Sequence, residues 1–189
     1  MGNLEISWRL RGAPTDTATA LGSKQRTGSN SNMRVQHWKI DREVVAQTER
    51  AVLVGQHEVF AIWTSIKQLQ AGDLSVDRCI VPAQTPGVSA GGVWVHIAGN
   101  ELQRIQLENF RDGRRSVIQL HTHPGADVRM SELDRTWEVV RHVGALSIIV
   151  PFYGRDGLAL TNGANVYERE ESDWRLWTSS EVRERLVLI

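Results

Sequence analysis

A single cysteine, Cys79, occurs among the 189 residues of the chain. One thiol excludes an internal disulfide and any zinc site built on paired CxxC motifs, and it fits a reducing compartment. Neither sign of charge is in surplus, with 22 Lys and Arg facing 22 Asp and Glu. No dense Lys/Arg run stands out either, so neither nucleic acid nor an anionic membrane is an expected partner. No apolar run approaches the roughly 20 residues that span a bilayer. The opening MGNLEISWRLRG lacks the apolar core of a signal peptide, and Ser7 misses the register of a myristoylation signal. A cytoplasmic protein is expected. No internal repeat is visible. What remains is ordinary for a globular chain, 41% hydrophobic and 23% charged, except for seven tryptophans. Most of these are expected in the core, with one or two on a surface that grips a partner.

Residues 3–10 read as a short strand. Residues 11–33, rich in Gly, Ser, Thr and Asn, read as a flexible linker. The expected division is an N-terminal extension, 1–33, and a compact domain, 34–189. Strands are expected at 34–40, 58–66, 74–83, 92–99 and 116–123, and again in ALSIIVPFY from Ala145. TPGVSAGG reads as a loop. One helix runs from an Asp41 cap to about Val54 before Gly55, with Ile40, Val44, Val45, Thr48, Ala51 and Val52 on one face. A second follows an Asn100 cap, and a third runs from Ser131 to about Val143. Two short strands and a helix near 179–187 finish the chain. The order predicts an α/β (α+β) fold, a mixed β-sheet flanked by helices.

The chemistry concentrates in LHTHPGADVRMSELDRTW, residues 120–137. His121 and His123 are two apart on a predicted strand, so both imidazoles leave the same face. Two imidazoles at that spacing can chelate one ion, and a catalytic zinc site uses three protein ligands. Asp134, in the first turn of the next helix, is the third candidate, and Ser131 lies one turn before it. Each part also has a plain reading. Ser131-x-x-Asp134 resembles a capping box, and a lone pair of strand histidines is often packing or surface. The combination is far rarer than its parts.

His-x-His-Pro, a gap at 124–130, then Ser131-x-x-Asp134, resembles the signature of the JAB1/MPN/Mov34 metalloprotease family, also called JAMM. The resemblance covers roughly residues 36–155. It implies a cytidine-deaminase-like mixed sheet with flanking helices, and zinc held by His121, His123 and Asp134. It also implies a glutamate on an early strand. EVFAIWTS matches that segment in position and apolar character, making Glu58 the candidate, although Ala61 and Ser65 stand where the family usually has glycine. Glu49, inside the preceding helical pattern, is the rival. In the implied mechanism Glu58 takes a proton from the attacking water and returns it to the departing amine. Ser131 stabilises the developing oxyanion.

Family members remove ubiquitin or ubiquitin-like proteins by cutting at their C-terminal carbonyl. The resemblance therefore implies a ubiquitin-like protein or its conjugates as substrate, docked as an added strand, with the loop 81–92 helping to form the groove. A small stand-alone peptidase of bacterial type is expected. E1-like and E2-like proteins of the same operon are its expected partners, in an antiphage setting. The alternatives are a peptidase acting on another carrier, a RadC-like DNA-associated protein, and a non-catalytic MPN-type scaffold. Neutral charge argues against the second, and the retained ligands argue against the third. Trp137, three residues past Asp134, is expected in the core beneath the site. His37, His57, His96 and His142 are expected to be structural or surface residues.

Overall fold

The computed structural model describes residues 35–54, 57–66, 72–89 and 92–189. The expected strand at 3–10, the linker at 11–33, the start at Arg34 and the stop at Gly55 lie outside the described residues. The elements in chain order are β1 (His37–Ile40), α1 (Arg42–Val52), β2 (Phe60–Ile66), β3 (Asp73–Val76), β4 (Arg78–Ile80), β5 (Gln84–Ser89) and β6 (Gly92–Ile97). They continue with α2 (Gly99–Arg111), β7 (Arg114–Thr122), α3 (Glu132–Thr136), β8 (Leu146–Val150), β9 (Asn165–Arg169), β10 (Trp174–Leu176), α4 (Ser179–Arg185) and β11 (Leu186–Leu188).

The main sheet has the order β10-β9-β8-β7-β2-β4. Only its β7–β8 pair is parallel. A smaller parallel sheet places β1 between β11 and β3, and β5 and β6 form a separate hairpin. This is the mixed α/β architecture expected from the sequence. Strand β2, FAIWTSI, is buried at every position but its last, as a central strand covered on both faces must be. Alternate side chains serve opposite faces. Phe60 and Ile62 join Ile105, Val140 and Ile149 in one cluster. Val59 and Trp63 join Trp38, Val44 and Leu120 in the other. The indole N–H of Trp63 donates to Thr48 Oγ1 at 2.8 Å, fastening α1 to the back of the sheet. Asp41 caps α1, its carboxylate accepting the Glu43 N–H at 2.8 Å.

Five expectations are corrected. The strand at 74–83 is two strands in different sheets, β3 beside β1 and β4 beside β2. The chain crosses between them at Asp77, whose carboxylate pairs with Arg114. TPGVSAGG is largely strand β5, not loop. Gly87 lies directly opposite Trp94, and a Cβ there would sit 2.2 Å from the indole, so the ring supplies the packing the glycine lacks. Helix α2 starts at Gly99 behind Ala98, and Asn100 lies within its first turn. The helix after Ser131 ends at Thr136, seven residues before Val143. The buried Gln119 carboxamide oxygen accepts the N–H groups of both Val139 and Val140 at 2.9 Å, replacing the helical carbonyls. The strand from Ala145 stops at Val150. Pro151 opens a 3-10 turn in which Phe152 and Tyr153 take φ of 53° and 55°. Strand β11 has no counterpart among the expected elements. Among the described residues, no helix is long and apolar enough to cross a membrane.

Candidate metal centre

Strand β7 carries the first two groups of the centre to the edge of the sheet. His121 is buried, 6% exposed, and its ring stacks on Phe60 with centroids 6.4 Å apart. His123 follows the last residue of the strand, and its N–H is still held by the Val150 carbonyl at 2.8 Å. The His123 carbonyl in turn accepts the Tyr153 N–H at 2.8 Å. The Nδ1 of His123 lies 2.7 Å from the Asp127 carbonyl. A carbonyl only accepts, so Nδ1 carries the proton and the neutral ring presents its lone pair at Nε2. That Nε2 stands 3.1 Å from Nε2 of His121.

Asp134 completes the cluster from α3. Its Oδ1 is 3.2 Å from His121 Nε2, and its Oδ2 is 3.7 Å from His123 Nε2. The carboxylate also accepts the Ser131 N–H at 2.7 Å, while Ser131 Oγ accepts the Asp134 N–H at 3.1 Å. The capping box and the ligand geometry are therefore the same residues in the same conformation. His121, His123 and Asp134 each offer one ligand atom, all within 4.8 Å of one another. Two imidazole nitrogens this close, with a carboxylate beside them, need a shared proton or a cation. An N, N, O donor set fits a divalent metal ion, and Asp127 orients the His123 ring as an outer partner does in such centres.

Burial alone would raise the Asp134 pKa, but the two histidines and the Ser131 N–H outweigh it and hold the carboxyl far below its usual range. For His123, burial disfavours the charged ring. Asp134, the Asp127 carbonyl and Glu58 prevail and raise its pKa above the ordinary value.

Glu58 reaches the same place through strand register. Phe60 pairs with His121, and Val59 and Thr122 exchange hydrogen bonds at 3.0 and 3.1 Å. Glu58 is thus level with His123, and period-two alternation puts the two on one face. Burial pushes its carboxyl up to about 7, with His123 pulling it down and Asp134 pushing it further up. Glu49 is committed elsewhere, its carboxylate accepting the Leu158 N–H at 3.3 Å.

Trp137 corrects the sequence reading. It is 73% exposed rather than wedged in the core, because α3 ends there and the residue takes the C-cap conformation. Trp174 and Trp177 are buried, with their indoles donating to Glu138 and Glu168 at 2.8 Å. His37, His57, His96 and His142 stand outside the three-residue cluster. Sequence reasoning missed Asp127, which acts through its backbone oxygen and so leaves no residue-type signal. It also missed Gln119, which reads as an ordinary polar residue in a strand.

These elements gather a His-His-carboxylate cluster that fits a metal ion, at the strand ends of a mixed α/β domain. No family model matches the chain. Over 123 residues it is 28% identical to the probable metalloprotease y4jG of Sinorhizobium fredii (strain NBRC 101917 / NGR234), covering 64% of this chain and 74% of that one. Its fold is similar to the solution structure of protein DSY2949 from Desulfitobacterium hafniense, with 10% identity and a TM-score of 0.52 over 80% of this chain and 92% of that one. A JAB1/MPN domain protein from Archaeoglobus fulgidus also aligns, with 19% identity and a TM-score of 0.44 over 81% of this chain and 98% of that one. With its signature residues gathered at one point and the probable metalloprotease beside it, the chain resembles the JAB1/MPN/Mov34 (JAMM) metalloproteases.

Proposed function

We propose that the chain is a zinc-dependent peptidase or isopeptidase that cuts after the C-terminus of a ubiquitin-like protein. The observation that carries the hydrolytic reading is the convergence of His121, His123 and Asp134 within 4.8 Å, with Glu58 level with them across the sheet. In this reading the two Nε2 atoms and the Asp134 carboxylate hold the ion. When bound, zinc supplies a positive charge that acidifies water and polarises a carbonyl. Glu58 is the proton carrier. Burial raises its proton affinity, which suits a carboxylate that takes a proton from water and returns it to the departing amine. Ser131 spends its acceptor lone pair on the cap, which leaves its O–H to donate to the oxygen that gains charge in the transition state.

The substrate reading rests on family resemblance and on the hairpin. Strands β5 and β6 pair only with each other among the described strands, so each has an edge open to an extended tail. The Gln84 carboxamide ties the hairpin to Phe60, accepting its N–H at 2.7 Å and donating to its carbonyl at 2.9 Å. In this reading a tail added to the β5 edge lies beside Gln84, which is tied to Phe60, two residues after Glu58. E1-like and E2-like proteins are the partners such a substrate implies.

The test is metal content by elemental analysis, beside hydrolysis of ubiquitin-like precursors and conjugates. About one zinc per chain is expected, lost in His123→Ala and Asp134→Ala. Glu58→Ala should keep the zinc and lose turnover. A well-folded protein without zinc would overturn the catalytic reading. Zinc and peptidase activity with no preference for ubiquitin-like tails would overturn the substrate reading alone.

A further inference from the structure

A cavity of about 420 Å³ opens at the end of β7 away from the metal centre. That is within the range of small-molecule sites, roughly 300–1,000 Å³. Arg115 beside it and His121 in the metal centre are six residues apart on one strand, about 20 Å at the usual strand rise. Its apolar walls include Ile62, Leu102, Ile105 and Val140.

Three polar side chains of this cavity keep unused hydrogen-bonding or charge capacity. Asn109, on α2, is buried at 5% exposure. Its Nδ2 donates to Ser116 Oγ at 3.1 Å, but its Oδ1 has no partner. A buried acceptor left unmet costs about 1–3 kcal/mol, so it marks a place where a donor is wanted. Arg115 contacts His142 Nε2 at 2.8 Å. A guanidinium only donates, so the ring accepts there and is neutral. Burial, with Arg115 adding to it, pushes His142 down to about 4. The charge of Arg115 is therefore matched by no carboxylate among the described residues. Arg141, also lining the cavity, donates to the Glu138 backbone carbonyl at 3.2 Å. The third arginine, Arg114, is already paired with Asp77.

We propose that this cavity binds an apolar amino acid with a free α-carboxylate and an acylated amine, the chemistry of a peptide's C-terminal residue. The carboxylate meets Arg115 and Arg141, the amide N–H meets Asn109 Oδ1, and the aliphatic side chain lies against Ile62, Ile105 and Val140. Competing chemistries fit less well. A simple fatty acid leaves Asn109 unmet. A free amino acid brings an ammonium towards two arginines. A phosphate monoester ionised at neutral pH offers no donor to the carboxamide.

Titration calorimetry with N-acetyl-L-leucine as probe tests this. Saturable binding at one site per chain is expected in the millimolar range or below. N-acetyl-L-leucinamide lacks the carboxylate and 4-methylpentanoate lacks the N–H. Each should bind about tenfold more weakly, the size of one charge-assisted or buried hydrogen bond. Arg115→Met, at an exposed position, should cost at least about tenfold. Asn109→Leu should abolish the preference for N-acetyl-L-leucine over 4-methylpentanoate. His123→Ala should bind the probe unchanged, which separates this cavity from a metal centre that also accepts carboxylates. A leucine-terminated heptapeptide distinguishes the sources. Binding as tight as the probe's points to protein C-termini, and weaker binding points to small acyl amino acids. No saturable binding, or full affinity in Arg115→Met, would overturn the proposal.

Discussion

Replacing Glu58 with Gln in metal-free protein should produce a stability gain that depends on pH. In the fold, burial raises this carboxyl from 4.5 to about 7. Between those values the unfolded chain gives up its proton and the folded chain keeps it, so rising pH favours unfolding. The contribution of Glu58 to stability is complete below 4.5, falls as pH rises towards about 7, and is lost above it. Glutamine keeps the shape and cannot ionise. At about 1.4 kcal/mol per pH unit the full interval is worth about 3 kcal/mol. Solvent reaches part of this carboxylate, which reduces the expected gain to about 1–2 kcal/mol. In a chain of this size that is about 2–8 °C in Tm. The assay is thermal or urea unfolding of both proteins with a chelator, from pH 4 to 8.5. The curves should coincide near pH 4 and separate above pH 7, with Glu58→Gln the more stable. Added zinc should close the gap, because a nearby cation favours the ionised glutamate. A pH-independent difference, or a less stable Glu58→Gln at pH 8, would refute the placement of Glu58 in a desolvated site.

Other outcomes follow from particular contacts. Ser131→Ala should lose about 1 kcal/mol through the missing cap, and turnover should drop about 100-fold or more with KM little changed if its hydroxyl serves the oxyanion. Steady-state kinetics beside a melting curve separates the two effects. Gln119→Leu leaves the Val139 and Val140 N–H groups without their acceptor. It should cost about 2–4 kcal/mol, read as a lower urea midpoint. Trp137→Ala removes an exposed ring, so Tm should hold while KM for a protein substrate rises. A fall in Tm would show that the ring packs after all.

The centre is legible in the sequence because its chemistry is written in side-chain type and spacing. A strand alternates with period two and a cap needs its acceptor at a fixed offset. Spacing alone therefore places His121 relative to His123, and Ser131 relative to Asp134; the resemblance of the whole pattern to a metalloprotease signature joins the two pairs. Glu58 is harder to place, since its position depends on the pairing of Phe60 with His121, a contact that joins segments far apart in the chain. The failures share a cause. Propensity extends the helix after Ser131, but the carboxamide of Gln119 from another strand ends it. Pro86 and Gly87 read as breakers, but an edge hairpin needs no N–H from the proline, and Trp94 covers the glycine. The split of 74–83 stays hidden because its two halves belong to sheets whose partners are distant in the chain.

The shared duty of Asp134 bears on how such a domain changes over evolutionary time. One of its oxygens is tied to the Ser131 N–H and the other faces His121, so its position is fixed by the fold before any ion arrives. An inactive descendant cannot shed this aspartate as a silent first step. Losing it unseats the turn that follows β7 as well as the site. A lineage drifting away from catalysis would meet less resistance at His123 or Glu58, and relics of the activity should persist longest at the capped turn.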